Sequence, residues 1–207
     1  MNGNRRLLAD ELRQRIELLE LKSSEDRKSY FWKVRRVCWA GIEYDTRSNL
    51  FSSVGIGARG ATVVIRPDRE LTLHHAARVG RQFLFLTSIV LSERRDRQEL
   101  RAALCEPVML TAKPQDRTGR DALKRPVAVK VPGFTFPGVL TERYFRNDAE
   151  DVYRAEVQQR VLVTPKAIAL RAGDLVQHGD ETPYTVRQAL DLDLYKNEYV
   201  IERRWDA

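Results

Sequence analysis

Residues 85–100 read FLTSIVLSERRDRQEL and residues 184–199 read YTVRQALDLDLYKNEY. Set 99 residues apart, the two stretches follow one plan. Phe85-Leu86-Thr87 stands against Tyr184-Thr185-Val186, and Leu91 against Leu190. A polar turn follows in each, then a second apolar run, residues 100–104 in one and 199–201 in the other. An apolar run, a polar turn and a second apolar run read as strand, loop, strand.

Working upstream, the order of matches persists. Gly80 falls opposite Gly179, and Val63-Val64-Ile65-Arg66-Pro67 opposite Val161-Leu162-Val163-Thr164-Pro165. Leu71-Thr72-Leu73 stands against Ile168-Ala169-Leu170, and Trp39-Ala40-Gly41-Ile42 against Phe136-Pro137-Gly138-Val139, both 97 residues apart. Residues 34–37 pair with 129–131, and residues 16–22 with 108–113. Single matches are only apolar facing apolar. Their common order and near-constant separation carry the reading of a tandem repeat. Pro67 and Pro165 close their strands alike, since proline cannot donate to a central ladder.

The predicted fold class is therefore mainly β: two tandem small β-barrel or sandwich modules with little helix, residues 1–104 and 105–207. The boundary is expected at Cys105-Glu106-Pro107 or in the polar segment 113–124, which reads as an exposed loop. Residues 5–21 fit a short helical or irregular lead-in and then a strand from about Arg15. Residues 30–44 read as a strand with Trp32, Val34 and Trp39 inward and arginines outward. Residues 45–60 read as a loop. Asp148 is placed to cap a short helix before a strand ending near Thr164.

With 207 residues, 43% hydrophobic and 31% charged, the chain can fill packed cores. It has no apolar run long enough for a membrane helix and no secretory leader pattern, so a soluble cytoplasmic protein is expected. The net charge is +7 and uneven: residues 1–104 hold 20 Lys/Arg and 13 Asp/Glu, residues 105–207 hold 16 of each. That asymmetry suggests that the halves face different surroundings, an acidic partner or nucleic acid beside the first.

No catalytic, cofactor or metal residues are nominated. Gly55, Gly57 and Gly60 spell GxGxxG, but a strand pattern follows where a dinucleotide site needs a helix. His74 and His75 are adjacent and would point to opposite faces of a strand, while His178 sits in a turn. Cys38 and Cys105 lack metal-ligand spacing and read as buried free thiols. Asp191 and Asp193 would share a strand face and read as solvated. Tyr30, Phe31, Trp32 and Trp39 interleave with Lys33, Arg35 and Arg36, a pattern that suits either a core strand or a base-stacking strand.

The order of features resembles phage head–tail joining proteins of the head-closure, stopper or head–tail adaptor type. The resemblance rests on an opening Leu12-Arg13-Gln14-Arg15-Ile16, a tryptophan strand with Trp32 and Val37-Cys38-Trp39-Ala40-Gly41-Ile42, a long loop, and Val63-Val64-Ile65-Arg66. It closes on a hairpin, Arg78-Val79-Gly80-Arg81-Gln82-Phe83. It spans residues 12–104, and the second copy keeps the closing half better. The family usually has one such module, and this chain departs from it in having two.

The resemblance implies a non-enzymatic structural protein of the virion neck, made in the host cytoplasm. It would form a homo-oligomeric ring with six or twelve modules per layer, between a portal or adaptor protein and a tail terminator or tail tube protein. Long loops would carry its contacts: Asn49, Phe51, Gly55, Gly57 and Arg59 in one, Tyr144, Arg146 and Tyr153 in the other. Arg35, Arg47 and Arg59 would face packaged DNA in the channel, a contact independent of sequence. Two alternatives compete: a stand-alone basic nucleic-acid-binding barrel, and a tail terminator or tail completion protein.

Overall fold

The computed structural model describes residues 11–45, 60–120, 123–142, 157–190 and 194–204. Among the described residues fourteen strands occur: β1 (Gln14–Ser23), β2 (Tyr30–Tyr44), β3 (Gly60–Ile65), β4 (His75–Val79), β5 (Gln82–Leu91), β6 (Gln98–Cys105), β7 (Val108–Lys113), β8 (Arg117–Arg120), β9 (Pro126–Val129), β10 (Phe134–Glu142), β11 (Val157–Pro165), β12 (Leu175–His178), β13 (Tyr184–Leu190) and β14 (Lys196–Arg204). No α-helix occurs among the described residues.

The strands close into two barrels with one topology. Around the first the order is β1-β2-β3-β6-β5-β4, and around the second β7-β10-β11-β14-β13-β12. Substituting β7, β10, β11, β12, β13 and β14 for β1 to β6 turns one order into the other. The mainly β fold of two tandem barrels is thus as the sequence implied. Strand β2 has the predicted bounds, and β1 begins one residue before Arg15.

Ladder register corrects the repeat in detail. Ala77 pairs with Leu84 in the first barrel, and Val176 with Tyr184 in the second. Leu84 and Tyr184 therefore correspond, 100 residues apart rather than 99. Bulges fall at the same place on this spacing, between Leu86 and Ser88 and between Val186 and Gln188. Strand β6 keeps a separation of 99 from β14, since Leu86 pairs with Ala102 and Val186 with Ile201. One extra residue in the β12–β13 turn is thus removed before β14.

Strands β3 and β11 also correspond 99 apart, with Val63 opposite Leu100 and Leu162 opposite Tyr199. Strands β2 and β10 correspond 98 apart, with Ile42 opposite Val63 and Leu140 opposite Leu162. One-residue errors matter because each would turn inward side chains outward. The expected match of residues 129–131 to β2 fails differently: Val129 ends β9, which pairs only with β8. Segment 113–124 is not a plain loop, because β8 lies inside it, and Lys124 helps turn the hairpin at a φ of 61°.

The chain divides into two compact units, with the main boundary after Pro107. Unit 1 comprises Met1–Lys22 and Trp32–Pro107, while Ser23–Phe31 belongs with Val108–Ala207 in unit 2. Within unit 2, the Ser23–Phe31 turn is held by the Thr135 amide donating to the Lys28 carbonyl at 2.8 Å and by Tyr30 edge-on to Phe134 at 5.8 Å.

The first core is aliphatic: Ile16, Leu18, Ala40, Val63, Ile65, Leu84, Leu86 and Leu100 are buried in one cluster, with Leu71 from the β3–β4 connection. The second barrel buries Leu110, Phe136, Leu162, Val176, Tyr184, Tyr199 and Ile201. Each connection after the third strand is tied by a buried amide on the sixth. Gln98 Oε1 accepts from the Asp68 amide at 3.0 Å, and Asn197 Nδ2 donates to the Lys166 and Ile168 carbonyls at 3.1 and 2.8 Å. Gly80 and Gly179 sit at φ 58° and 55°, so both tight turns use a left-handed residue that glycine adopts without steric cost.

Candidate interaction surfaces

Strand β2 alternates strictly where it lines the first barrel. Ala40 is fully buried and Cys38 and Ile42 pack on the core, so the odd positions face outward. Trp39 is accordingly 59% exposed and Val37 38%. This phase corrects the expected inward placement of Trp39; Val34 shares the even side of the strand but is 39% exposed, so its expected inward placement is corrected as well. Only Trp32 of the three packs inside its unit, its ring 5.5 Å from that of Phe83.

Gly41 shows why the face is shaped as it is. A Cβ there would lie 2.6 Å from the Glu11 carbonyl oxygen, so the lead-in backbone can cross β2 only over a glycine. That crossing puts Leu12 beside Trp39. The β2–β3 register, with Ala40 opposite Ile65, brings Arg66 to the same end. Leu12, Arg36, Val37, Cys38, Trp39 and Arg66 line an open groove of about 490 Å³. Arg36 and Arg66 share this groove with an exposed indole, a combination able to bind a flat or apolar group that carries negative charge.

A second depression of about 400 Å³ adjoins it, lined by Arg35, Arg36, Pro67, Asp68, Arg69 and Glu70. Arg35 pairs with Asp68 and, at 2.6 Å, with Glu70, while Arg36 reaches Asp68 at 3.3 Å. Burial alone would raise the Asp68 carboxyl. Hydrogen bonds from Arg35 and the Glu70 amide, with the charges of Arg35 and Arg36, outweigh it and hold the carboxyl below its ordinary value. Arg35, expected from the sequence to face DNA, is paired with two carboxylates, Asp68 and Glu70.

The remaining sequence-nominated residues, Arg47, Asn49, Phe51, Gly55, Gly57, Arg59, Tyr144, Arg146 and Tyr153, lie outside the described residues, as do Asp148, Asp191 and Asp193. His178 is the last residue of β12 rather than part of a turn, with Nδ1 3.3 Å from Glu181. His75 Nδ1 lies 3.1 Å from the Thr72 amide nitrogen. Both cysteines are free thiols. Burial raises Cys38 and pushes Cys105 up to about 12, so both are protonated and weakly nucleophilic at neutral pH. No group of three or more His, Cys, Asp or Glu is placed to hold a metal ion among the described residues.

The groove at Trp39 escaped the sequence reading. The signal that finds it is Gly41 beside an inward Ala40, which fixes the phase of β2.

No family model matches the chain, and no curated protein matches it. Among solved structures, a complex of K. pneumonia MrkH with c-di-GMP is similar at 10% identity, over 95% of this chain and 83% of that one. Its TM-score of 0.17 is too low for the likeness to bear on fold or function.

Proposed function

We propose that the chain is a structural, non-enzymatic connector of a phage virion neck, joining the head-completion side to the tail and lining the DNA channel. One observation carries the reading: a duplicated barrel keeps its topology while its exteriors diverge. The first copy presents an exposed Trp39 in a groove shared with Arg36 and Arg66, while the corresponding position of the second copy, Pro137, is buried. A protein that must meet two different neighbours has use for two such faces on one scaffold. The resemblance of residues 12–104 to head-closure proteins supplies the setting.

In this reading the chain forms a closed ring through heterologous contacts, six or twelve modules per layer. A portal or adaptor lies on one side and a tail terminator or tail tube on the other. Segments 49–59 and 144–153, read from the sequence as loops and outside the described residues, are assigned to contacts with neighbours or the channel. Arginines of the first half, Arg47 and Arg59 among them, contribute salt-dependent contact with DNA. Particles whose copy of this chain lacks residues 49–58 test it: loss of stable heads or of tail joining is expected, and normal infectious particles would refute the loop role.

A second reading has its own observation. An exposed indole sharing a groove with two cations is also what a single-strand stacking platform offers. Tight, steeply salt-dependent DNA binding by a monomer that never joins a virion would favour it.

A further inference from the structure

Both six-stranded sheets are closed, so they present no edges. Among the described residues, β8–β9 is the one sheet with two open edges. Unpaired edges are templates for an added strand. An isolated two-stranded hairpin is also marginal in water and gains from a third strand.

The hairpin leaves the second barrel from a fixed root. The Gln115 amide donates to Asp174 Oδ1 at 3.0 Å, and the Gln115 side chain lies so close over Gly173, at φ 93°, that a Cβ there would meet it at 2.8 Å. Register places Arg117 opposite Val129 and Gly119 opposite Val127. A Cβ on Gly119 would lie 2.6 Å from Val129 Cγ2, so the absent side chain lets the valines lean across the ribbon. Val127 and Val129 remain 38% and 47% exposed, an apolar stripe on a free strand. Between 116 and 130 the sequence carries five cations, Arg117, Arg120, Lys124, Arg125 and Lys130, and two acids, Asp116 and Asp121.

We propose that β9 accepts an extended protein segment that alternates apolar and acidic side chains, taken up as an added antiparallel strand. The apolar residues would cover Val127 and Val129, and the acidic ones would meet the surrounding cations. Like charge on every copy disfavours hairpin-to-hairpin pairing between copies. The valine stripe and the absence of an aromatic residue in 117–130 disfavour nucleic acid. The proposal concerns the second barrel alone and does not rest on the connector reading.

The test is amide hydrogen exchange on the full chain with a blocked peptide of alternating valine and glutamate as probe. About tenfold slowing across β8 and β9, lost at high salt and in the Lys124→Glu/Lys130→Glu variant, is the expected result. Amides of β11 and β14 report that the variant is folded. No slowing, or equal slowing by an alternating valine–lysine peptide, overturns the proposal. So does slowing produced only by duplex DNA, or by raising the protein concentration without peptide.

Discussion

The two barrels share a backbone plan and fill it with different chemistry. Where the first places Leu84 and Leu100, the second places Tyr184 and Tyr199; where the first has Ala61 and Leu104, the second has Arg160 and Arg203. The Arg203 guanidinium carbon lies 4.1 Å from the centre of the Tyr184 ring and that of Arg160 5.7 Å from it, while Arg203 Nη2 meets Glu181 at 2.7 Å. The Tyr199 hydroxyl donates to the Ile168 carbonyl at 2.9 Å and accepts from the Leu170 amide at 3.0 Å. The first barrel is held by aliphatic packing. The second adds a polar network at equivalent positions, in which the Tyr199 hydroxyl and Arg203 Nη2 are paired while the buried Nε atoms of Arg160 and Arg203 have no hydrogen-bond partner. Topology and turn geometry thus constrain a duplicated barrel more tightly than the identity of its core residues does.

The largest effect should come from opening a cavity in the aliphatic barrel. Leu84→Ala is expected to cost about 2–5 kcal/mol. Amide exchange should show the loss in β1 to β6 while β10 to β14 keep their protection. Equal loss in both barrels would mean that the repeats unfold as one unit.

Next is the polar network of the second barrel. Tyr199→Phe removes the acceptor of the buried Leu170 amide, while the Ile168 carbonyl keeps Asn197 as a donor, and should cost about 1–3 kcal/mol. Leu100 has no polar role, so Leu100→Met should cost less than about 1.5 kcal/mol. Denaturant unfolding of both variants compares the two chemistries at one structural position.

Acid should separate the barrels further. The folded-state pKa of Asp68 is depressed, so its contribution is present above the unfolded value, near 3.8, and is lost as pH falls below that value through the folded one. Asp68→Asn should therefore lower first-barrel stability by about 1–2 kcal/mol at pH 7 and flatten its acid limb. The second-barrel acid limb should not change. Exchange of β3 and β11 amides against pH reads both.

The smallest expected difference is at the shared turns. Gly80→Ala and Gly179→Ala each force a left-handed residue and should each cost about 1 kcal/mol. Neither site has an atom within 4 Å of an added Cβ, so the two values should agree. A large disparity in melting temperature would show that the turns are not equivalent.

The repeat was legible because apolar periodicity and the Gly80/Gly179 pair survive divergence. Its register was not, because a bulge at Thr87 or Arg187 and an extra residue before Tyr184 leave no mark in composition. The facing of β2 was hidden because both sides of the strand carry apolar residues, and only the packing constraint at Gly41 resolves the phase. Strand β8 was missed because Arg117-Thr118-Gly119-Arg120 lacks β-branched density and pairs only with its neighbour. The ion pairs of Arg35 join residues more than thirty positions apart, from separate elements, which no local pattern announces.

In the proposed connector, two diverged copies of one barrel join two different neighbours in a ring. Mass measurement of the purified full chain, alone and with candidate portal and tail proteins, tests it most directly. Assemblies of six or twelve chains that join both kinds of partner are expected, with first-barrel surface variants such as Trp39→Ala weakening one joint and sparing the other. A chain that stays monomeric with every partner, or one whose two joints weaken together, would contradict it.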